Sequence, residues 1–155
     1  MVVYANPNIH PAEEYEHRLD TLRAYAAAVG VEVVELPYDP ERWQREVGVH
    51  GTDRSQRCRA CYRLRLGMVS EWAAENGADA VATTLTVSPY QDHDGIREEG
   101  EKAARQEGVS YLDRDFRDRY REATRRAREL EMYRQRYCGC EYSIEEAEAS
   151  RRANR

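Results

Sequence analysis

The sequence predicts an α/β fold, a parallel sheet with helices on both faces in the Rossmann-like manner, and three observations predict it. Short β-branched runs alternate with stretches of helical periodicity from the first residue to beyond the middle of the chain. Parallel neighbours require such crossover helices. The candidate helices close on glycine, at Gly30, Gly77 and Gly108. The polar segments richest in chemistry follow the strand runs, where open α/β sheets place their sites. With 155 residues, the length prior gives one domain over 1–155, large enough for a core of its own.

Taken in order, Met1–Tyr4 reads as a strand and Asn6–Pro11 as the loop that follows it. In the next stretch Tyr15, Leu19, Leu22, Ala26 and Val29 recur at spacings of three and four, which predicts an amphipathic helix over Ala12–Val29. Val31–Leu36, closed by Pro37, is a second strand. Asp39-Pro40 opens a short helix through Val47, and Gly48–Gln56 reads as a polar loop. A long helix is predicted over Arg57–Asn76, with Cys61, Leu64, Met68 and Trp72 on its apolar face. Ala78–Val87, small and β-branched, has the composition of a buried parallel strand, and Ser88–His93 is the loop at its end. Gly95–Glu107 is a charged helix and Val109–Leu112 a short strand leading to Asp113–Phe116. Arg119–Arg136 predicts a strongly charged helix, solvated over most of its surface. Ser143–Ala153 predicts a C-terminal helix, within a 143–155 segment that frays at its end.

Composition narrows the function. The formal net charge of −5 argues against non-specific attraction to nucleic acid. Yet the cationic residues are arginine apart from the single Lys102, and the planar guanidinium fork suits phosphate, so a local basic face is compatible with an acidic whole. Biased base composition of the genome is an equal explanation for the arginines. No apolar run approaches membrane-spanning length, and the cytoplasm is the expected compartment, without membrane association.

The cysteines carry the strongest signal. There are four, in two tight pairs, Cys58-Arg-Ala-Cys61 and Cys138-Gly-Cys140. Four thiolates fill a tetrahedral zinc site or hold one iron-sulfur cluster, so all four are candidate metal ligands. A disulfide framework is disfavoured, because nothing resembles a secretory signal and the chain exceeds the small secreted domains that need one. Four unrelated buried thiols remain the plain alternative. Arginines flank the first pair, and a helix N-terminus beside them favours the thiolate. Arg63 and Arg65 belong either to a solvated helix face or to a phosphate contact. Gly139 permits the tight turn that turns both sulfurs of the second pair to one centre.

Outside the cysteines, Tyr90, Gln91, Asp92 and His93 place a phenol, an amide, a carboxylate and an imidazole in consecutive positions of one post-strand loop. Such a loop can donate a proton or read a polar substrate, although Asp92 or Asp94 can equally cap the next helix. Asn8 and His10, in the loop after the first strand, are further substrate-binding candidates, with helix entry as the alternative for His10.

These segments together resemble the QueH family of epoxyqueuosine reductases. The resemblance is carried by Tyr4-Ala-Asn-Pro-Asn-Ile-His-Pro11, Arg57-Cys-Arg-Ala-Cys-Tyr-Arg-Leu-Arg-Leu66, Thr83-Thr-Leu-Thr-Val-Ser-Pro-Tyr-Gln91 and Tyr133-Arg-Gln-Arg-Tyr-Cys-Gly-Cys140, in order along nearly the whole chain. It implies an adenine-nucleotide-hydrolase-like fold, a 4Fe-4S cluster with an adjacent single metal ion, and the last step of queuosine formation. That step is the two-electron removal of the epoxide oxygen from epoxyqueuosine at the tRNA wobble position. The expected partners are that tRNA and an unidentified electron donor. The family pattern also opens with a strand and a Cys-Cys-x-Pro-Cys motif, neither of which this sequence contains, so a first strand near the middle of the sheet is expected to be missing from an N-terminally truncated chain.

On this resemblance Cys58, Cys61, Cys138 and Cys140 are metal ligands. Tyr90, Asp92 and His93 supply the proton for the departing oxygen, and Asn8, His10, Arg63, Arg65 and Gln91 contact the substrate. Two other readings stand beside it: a zinc-stapled, non-catalytic RNA-binding module or inactive fragment, and a thiol-redox protein that uses Cys58 and Cys61 directly.

Overall fold

The computed structural model describes residues 1–153 and is an α/β structure of four short strands and six α-helices. Strand β1 (Val2–Tyr4) is followed by helix α1 (Ala12–Val29), strand β2 (Val33–Glu35) and helix α2 (Pro40–Glu46). Helix α3 (Arg54–Glu75), strand β3 (Ala80–Val81), helix α4 (His93–Glu107) and strand β4 (Ser110–Tyr111) come next. Helices α5 (Tyr120–Glu129) and α6 (Glu141–Ala153) complete the described chain. Positions 154 and 155 of the expected C-terminal segment lie outside the described residues. No described helix is long and apolar enough to cross a membrane.

Both strand pairs are parallel, as the alternating pattern requires, with Val3 opposite Val34 and Val81 opposite Tyr111. They form two separate two-stranded sheets, β1–β2 and β3–β4. The single sheet expected from the alternation is thus divided into two parallel pairs.

Four helices begin or end where their local chemistry dictates. Gly30 and Gly108 adopt the left-handed conformation that caps α1 and α4. Asp39, Asp53 and Asp92 each accept a backbone N–H at the start of α2, α3 and α4. Because Asp53 caps α3, that helix starts at Arg54, inside the segment predicted to be a polar loop, and Gly48–His50 of the same segment forms a 3-10 turn. The predicted strand over Ala78–Val87 shrinks to Ala80–Val81, and Leu85–Val87 turns into a 3-10 helix. The threonines explain this: Thr83 Oγ1 accepts the Leu85 N–H and Thr86 Oγ1 donates to the Thr83 carbonyl, bonds that compete with a ladder.

Helix α3 is the spine. It runs along α4 and buries Ala60, Tyr62, Leu64, Leu66, Ser70 and Ala73, whereas the predicted face residues Met68 and Trp72 are only partly buried. A single apolar stripe underestimates a helix packed on two sides. One side meets Trp43 and Val47 with Leu64, and the other meets Ile96 and Ala103 with Tyr62 and Leu66. Gly100 lets α4 approach β4, since a Cβ there would stand 2.4 Å from the Tyr111 ring. Helix α1 behaves as its spacing predicts, burying Tyr15, Leu19 and Ala26, while Val29 is exposed.

Helix α5 stops at Glu129, well short of the predicted Arg136. Glu131 takes a positive φ of 52°, a left-handed stop that costs a non-glycine residue about 1 kcal/mol. Beyond this stop the chain is pulled away from the helix axis by its partners: Tyr133 donates to both Glu14 carboxylate oxygens at 2.8 Å, and Gln135 accepts from Arg18.

Candidate functional site

The two cysteine pairs come together by different routes: Cys58 and Cys61 lie on α3, and Cys140 packs against that helix from the turn before α6. Cys61 and Cys140 border the same apolar cluster, with Trp43, Val47, Ala60 and Leu64 between and around them, while Cys58 packs toward the α4 side. All four are free thiols; Cys140 is buried, Cys58 and Cys61 are half-buried and Cys138 is exposed. The negative charge of a Cys138 or Cys140 thiolate reaches both Cys58 and Cys61.

The prediction that the helix N-terminus and neighbouring arginines lower the first pair's thiol pKa is corrected. Burial raises Cys58 and pushes Cys61 up to about 11, outweighing Arg57 and Arg54 at the first thiol and Arg65 at the second. The early start of α3 is part of the reason, because it moves both cysteines beyond the first turn, where the helix dipole is strongest.

The second pair is held by a clasp of hydrogen bonds. Arg18 donates to the carbonyls of Cys138 at 3.0 Å and Tyr137 at 3.1 Å, and its guanidinium lies 5.0 Å from the centre of the Tyr137 ring. His10 N–H donates to the Gly139 carbonyl at 2.8 Å, and the Tyr137 hydroxyl donates to the His10 carbonyl. Ser143 Oγ donates to the Cys140 carbonyl at 2.6 Å and accepts from the Gly139 N–H at 3.2 Å. Gly139 has a φ of 143°, and a Cβ there would stand 2.7 Å from Asn8 Nδ2. Asn8 is thus buried against the turn, with its Oδ1 lacking a hydrogen-bond partner.

The loop after β3 reaches Cys138 of the second pair and Tyr62 beside the first. Tyr62, one residue beyond Cys61, donates its hydroxyl to Gln91 Oε1 at 2.7 Å, and the amide nitrogen of Gln91 lies 3.8 Å from Cys138 Sγ. Burial, followed by the charge of Cys58, keeps the Tyr62 phenol protonated far above its usual range. Tyr90 is 73% exposed and meets Tyr120 edge to face. Asp92 Oδ1 caps α4 through the Gly95 N–H at 3.0 Å. His93 Nε2 lies 3.0 Å from the Ser88 carbonyl and Nδ1 lies 3.8 Å from Asp115, so the loops after β3 and β4 meet at this ring.

Both arginines offered for phosphate contact have protein partners, and Arg63 keeps a largely exposed side chain. Arg63 pairs at 2.9 Å with Glu99, a carboxylate 1% exposed, and Arg65 donates to the Ala5 carbonyl at 2.9 Å and to Asn6 Oδ1. Arg65 therefore ties α3 to the end of β1. His10 contributes its backbone to the clasp, and its side chain is exposed. Sequence reasoning missed Tyr62, Arg18 and Trp43. Tyr62 was visible as the residue beside the second thiol of Cys-x-x-Cys, whereas Arg18 sits in an ordinary i,i+4 pair with Glu14 and gave no signal.

Among the described residues no three His, Cys, Asp or Glu side chains stand close enough together to hold a metal ion. The chemistry of the surroundings nonetheless suits a thiolate-held group. Cys61 and Cys140 border one apolar wall, and the Trp43 Nε1 in that wall is buried beside the Cys61 sulfur. An indole N–H so placed beside Cys61 would find an acceptor in a ligating sulfur.

Fold and site together define a class: an α/β protein with parallel strands and two cysteine pairs, the second of them met by the post-strand loops. The sequence matches the family model described as "Epoxyqueuosine reductase QueH" over residues 1–146, and the chain belongs to that family. It is 35% identical to the epoxyqueuosine reductase QueH of Dehalococcoides mccartyi, covering 92% of this chain and 77% of that protein. The Streptococcus pyogenes and Histophilus somni proteins of the same name are each 32% identical. This chain spans 60% of the first and 65% of the second, with 92% and 99% of its own length covered.

Proposed function

We propose that this chain is an epoxyqueuosine reductase that converts epoxyqueuosine to queuosine at the wobble position of tRNA. Family membership across residues 1–146 is the observation that carries the reading. In the reaction both carbon–oxygen bonds of the epoxide break, a carbon–carbon double bond forms, and two electrons and two protons turn the oxygen into water. The electrons come from a separate donor, and we assign the reaction to the cytoplasm.

Cys58, Cys61, Cys138 and Cys140 are assigned as thiolate ligands that would be shared between a 4Fe-4S cluster and an adjacent iron ion. When bound, such a group supplies electrons one at a time. The remaining work falls to the polypeptide. Tyr62 fixes the Gln91 carboxamide so that its N–H₂ faces the Cys138 side, where it can donate to a polar group of the substrate. Tyr90 offers an exposed ring on which an extruded base can stack. Asn8 presents a buried carboxamide oxygen without a partner at the second pair. Asp92 and His93 adjoin Gln91 in sequence and are assigned the delivery of a proton to the departing oxygen.

Metal analysis and turnover test this. Anaerobically purified protein is expected to contain iron and acid-labile sulfide and to convert epoxyqueuosine-tRNA. Zinc without sulfide, and no turnover, would replace the reductase by a four-thiolate zinc staple. Asp92→Asn isolates the proton: asparagine keeps the α4 cap, so iron content should hold while turnover is abolished, and unchanged turnover would leave His93 as the acid.

A further inference from the structure

Helix α5 is the part of the described chain with least reason to be where it is. It contains no buried residue and rests mainly on the 3-10 turn that precedes it, Arg117–Arg119. Its sequence is nonetheless ordered by face. Arg121, Arg125 and Arg128 recur at spacings of four and three on one stripe, and all three are exposed. Ala123, Ala127 and Leu130 lie on the opposite side. Arg125 pairs at 2.7 Å with Glu129 on the flank of the stripe, while Arg121 and Arg128 have no acidic partner among the described residues. From Arg117 to Arg136 the chain carries eight arginines against four carboxylates, a local positive surplus in a protein of net charge −5. The segment 54–65 is denser in arginine, but its arginines are engaged by Glu146, Glu98 and Glu99 or by Ala5 and Asn6, whereas Arg121 and Arg128 have no such partner among the described residues.

A second observation shows which face of α5 is turned inward and leaves the stripe turned to solvent: Tyr120, Thr124 and Ala127 are its partly buried residues, and they share one flank. Tyr120 opens α5 and meets the exposed Tyr90 edge to face, with ring centres 6.1 Å apart. Gln91, the next residue after Tyr90, lies against Cys138. The solvent-facing stripe is thus carried by a helix whose first turn meets an aromatic corner one residue removed from Gln91. Basic stripes with adjoining aromatic platforms suit nucleic acid, in which phosphates take the charge and bases take the rings.

We propose that Arg121, Arg125 and Arg128 of α5 form the docking surface for the tRNA phosphate backbone, with Tyr90 and Tyr120 as the corner at which the strand turns toward the cysteines. This rests on tRNA being the substrate. At 1.5 Å of rise per residue the stripe is about 10 Å long, enough for roughly three successive phosphates of one strand. Guanidinium forks engage phosphate in pairs of hydrogen bonds, which accounts for arginine rather than lysine along the stripe.

The test is a salt titration of tRNA binding by the full chain, using an unmodified tRNA of the substrate's sequence and the epoxyqueuosine-containing tRNA in parallel. The R121Q/R125Q/R128Q variant should bind both roughly tenfold more weakly near 0.1 M salt, with the slope of log affinity against log salt reduced by about two to three. The R121K/R125K/R128K variant should keep the wild-type slope. Circular dichroism checks that both remain helical. A Gln variant with unchanged slope overturns the docking surface, as does a Lys variant that loses as much slope as the Gln variant. Turnover of epoxyqueuosine-tRNA by the wild-type protein separates the two levels. If turnover is present and the slope is unchanged, the surface fails and the reductase stands; if turnover is absent but the slope depends on the arginines, the reductase fails and the surface stands.

Discussion

Cys58 and Cys61 ride on α3, a helix packed on two sides, whereas Cys138 and Cys140 sit in a turn between α5 and α6 that is tied down mostly by hydrogen bonds from distant residues. The spacing of the first pair follows from helical geometry, and its surroundings follow from burial. The second pair depends on Arg18, Ser143, the backbone of His10 and the conformation of Gly139, with Cys140 as its apolar anchor. Many small dispersion contacts support one pair, and a few directional contacts support the other. The packed pair should therefore tolerate the loss of any one neighbour, and the clasped pair should not.

The largest effect is expected at Gly139. Gly139→Ala places a Cβ 2.7 Å from Asn8 Nδ2 and 3.1 Å from Ile9 Cγ1, at a φ of 143° that side chains rarely adopt. It should weaken the clasp by about 3 kcal/mol. Hydrogen exchange should show lost protection at 137–140 and in the Asn6–His10 loop, with α3 unchanged. Equal loss in α3 would mean that the two pairs are one cooperative unit, and the comparison would break.

Glu99→Gln acts on the packed side and sharpens the contrast. Glu99 is buried and receives Arg63, Arg59 and Lys102, so the variant should lose about 1–2 kcal/mol of global stability at neutral pH, discounted because Arg63 and Lys102 are largely exposed. Burial raises the Glu99 pKa, but the Arg63 hydrogen bond with the charges of Arg63 and Lys102 outweighs it and holds the carboxyl below its usual 4.5. A depressed folded-state pKa gives stability that is present above 4.5 and lost as pH falls through the folded value. Denaturant curves of wild type and variant should therefore converge in that acid range, and a constant gap down to low pH would assign the difference to packing.

The smallest perturbation leaves the fold alone. In metal-free protein, iodoacetamide should modify the exposed Cys138 well before Cys61, because burial pushes the Cys61 thiol up to about 11. Near pH 8 only about one Cys61 in a thousand is a thiolate, and its rate should climb about tenfold per pH unit toward pH 10. Equal rates at the two cysteines, read by peptide mass spectrometry, would remove the difference in burial on which the comparison stands.

Several elements were legible before the structure, and each for a local reason. The spacing of Tyr15, Leu19 and Ala26 and the glycine after Val29 were enough to bound α1. Asp92 was readable as a cap because capping involves residues three apart. The errors were non-local. Ala78–Val87 has strand composition, but a strand needs partners, and only Ala80–Val81 has them. Arg119–Arg136 has helix composition, but Glu14 and Arg18 draw Tyr133 and Gln135 out of line. Arg63 looked like a free cation because Glu99, its buried partner, lies 36 positions away.

The sequence by itself determined the α/β class, the order of helices and parallel strands, the two cysteine pairs and the family resemblance that the family match then established. These depend on periodicity, caps and short spacings, which act among neighbours along the chain. Only the tertiary structure decided that Arg18 holds the Cys138 carbonyl from 120 positions away, that Tyr62 reaches Gln91, and that burial rather than arginine sets the Cys61 thiol. Such contacts depend on which surfaces meet when the core closes, and the balance of desolvation against charge exists only after they have met.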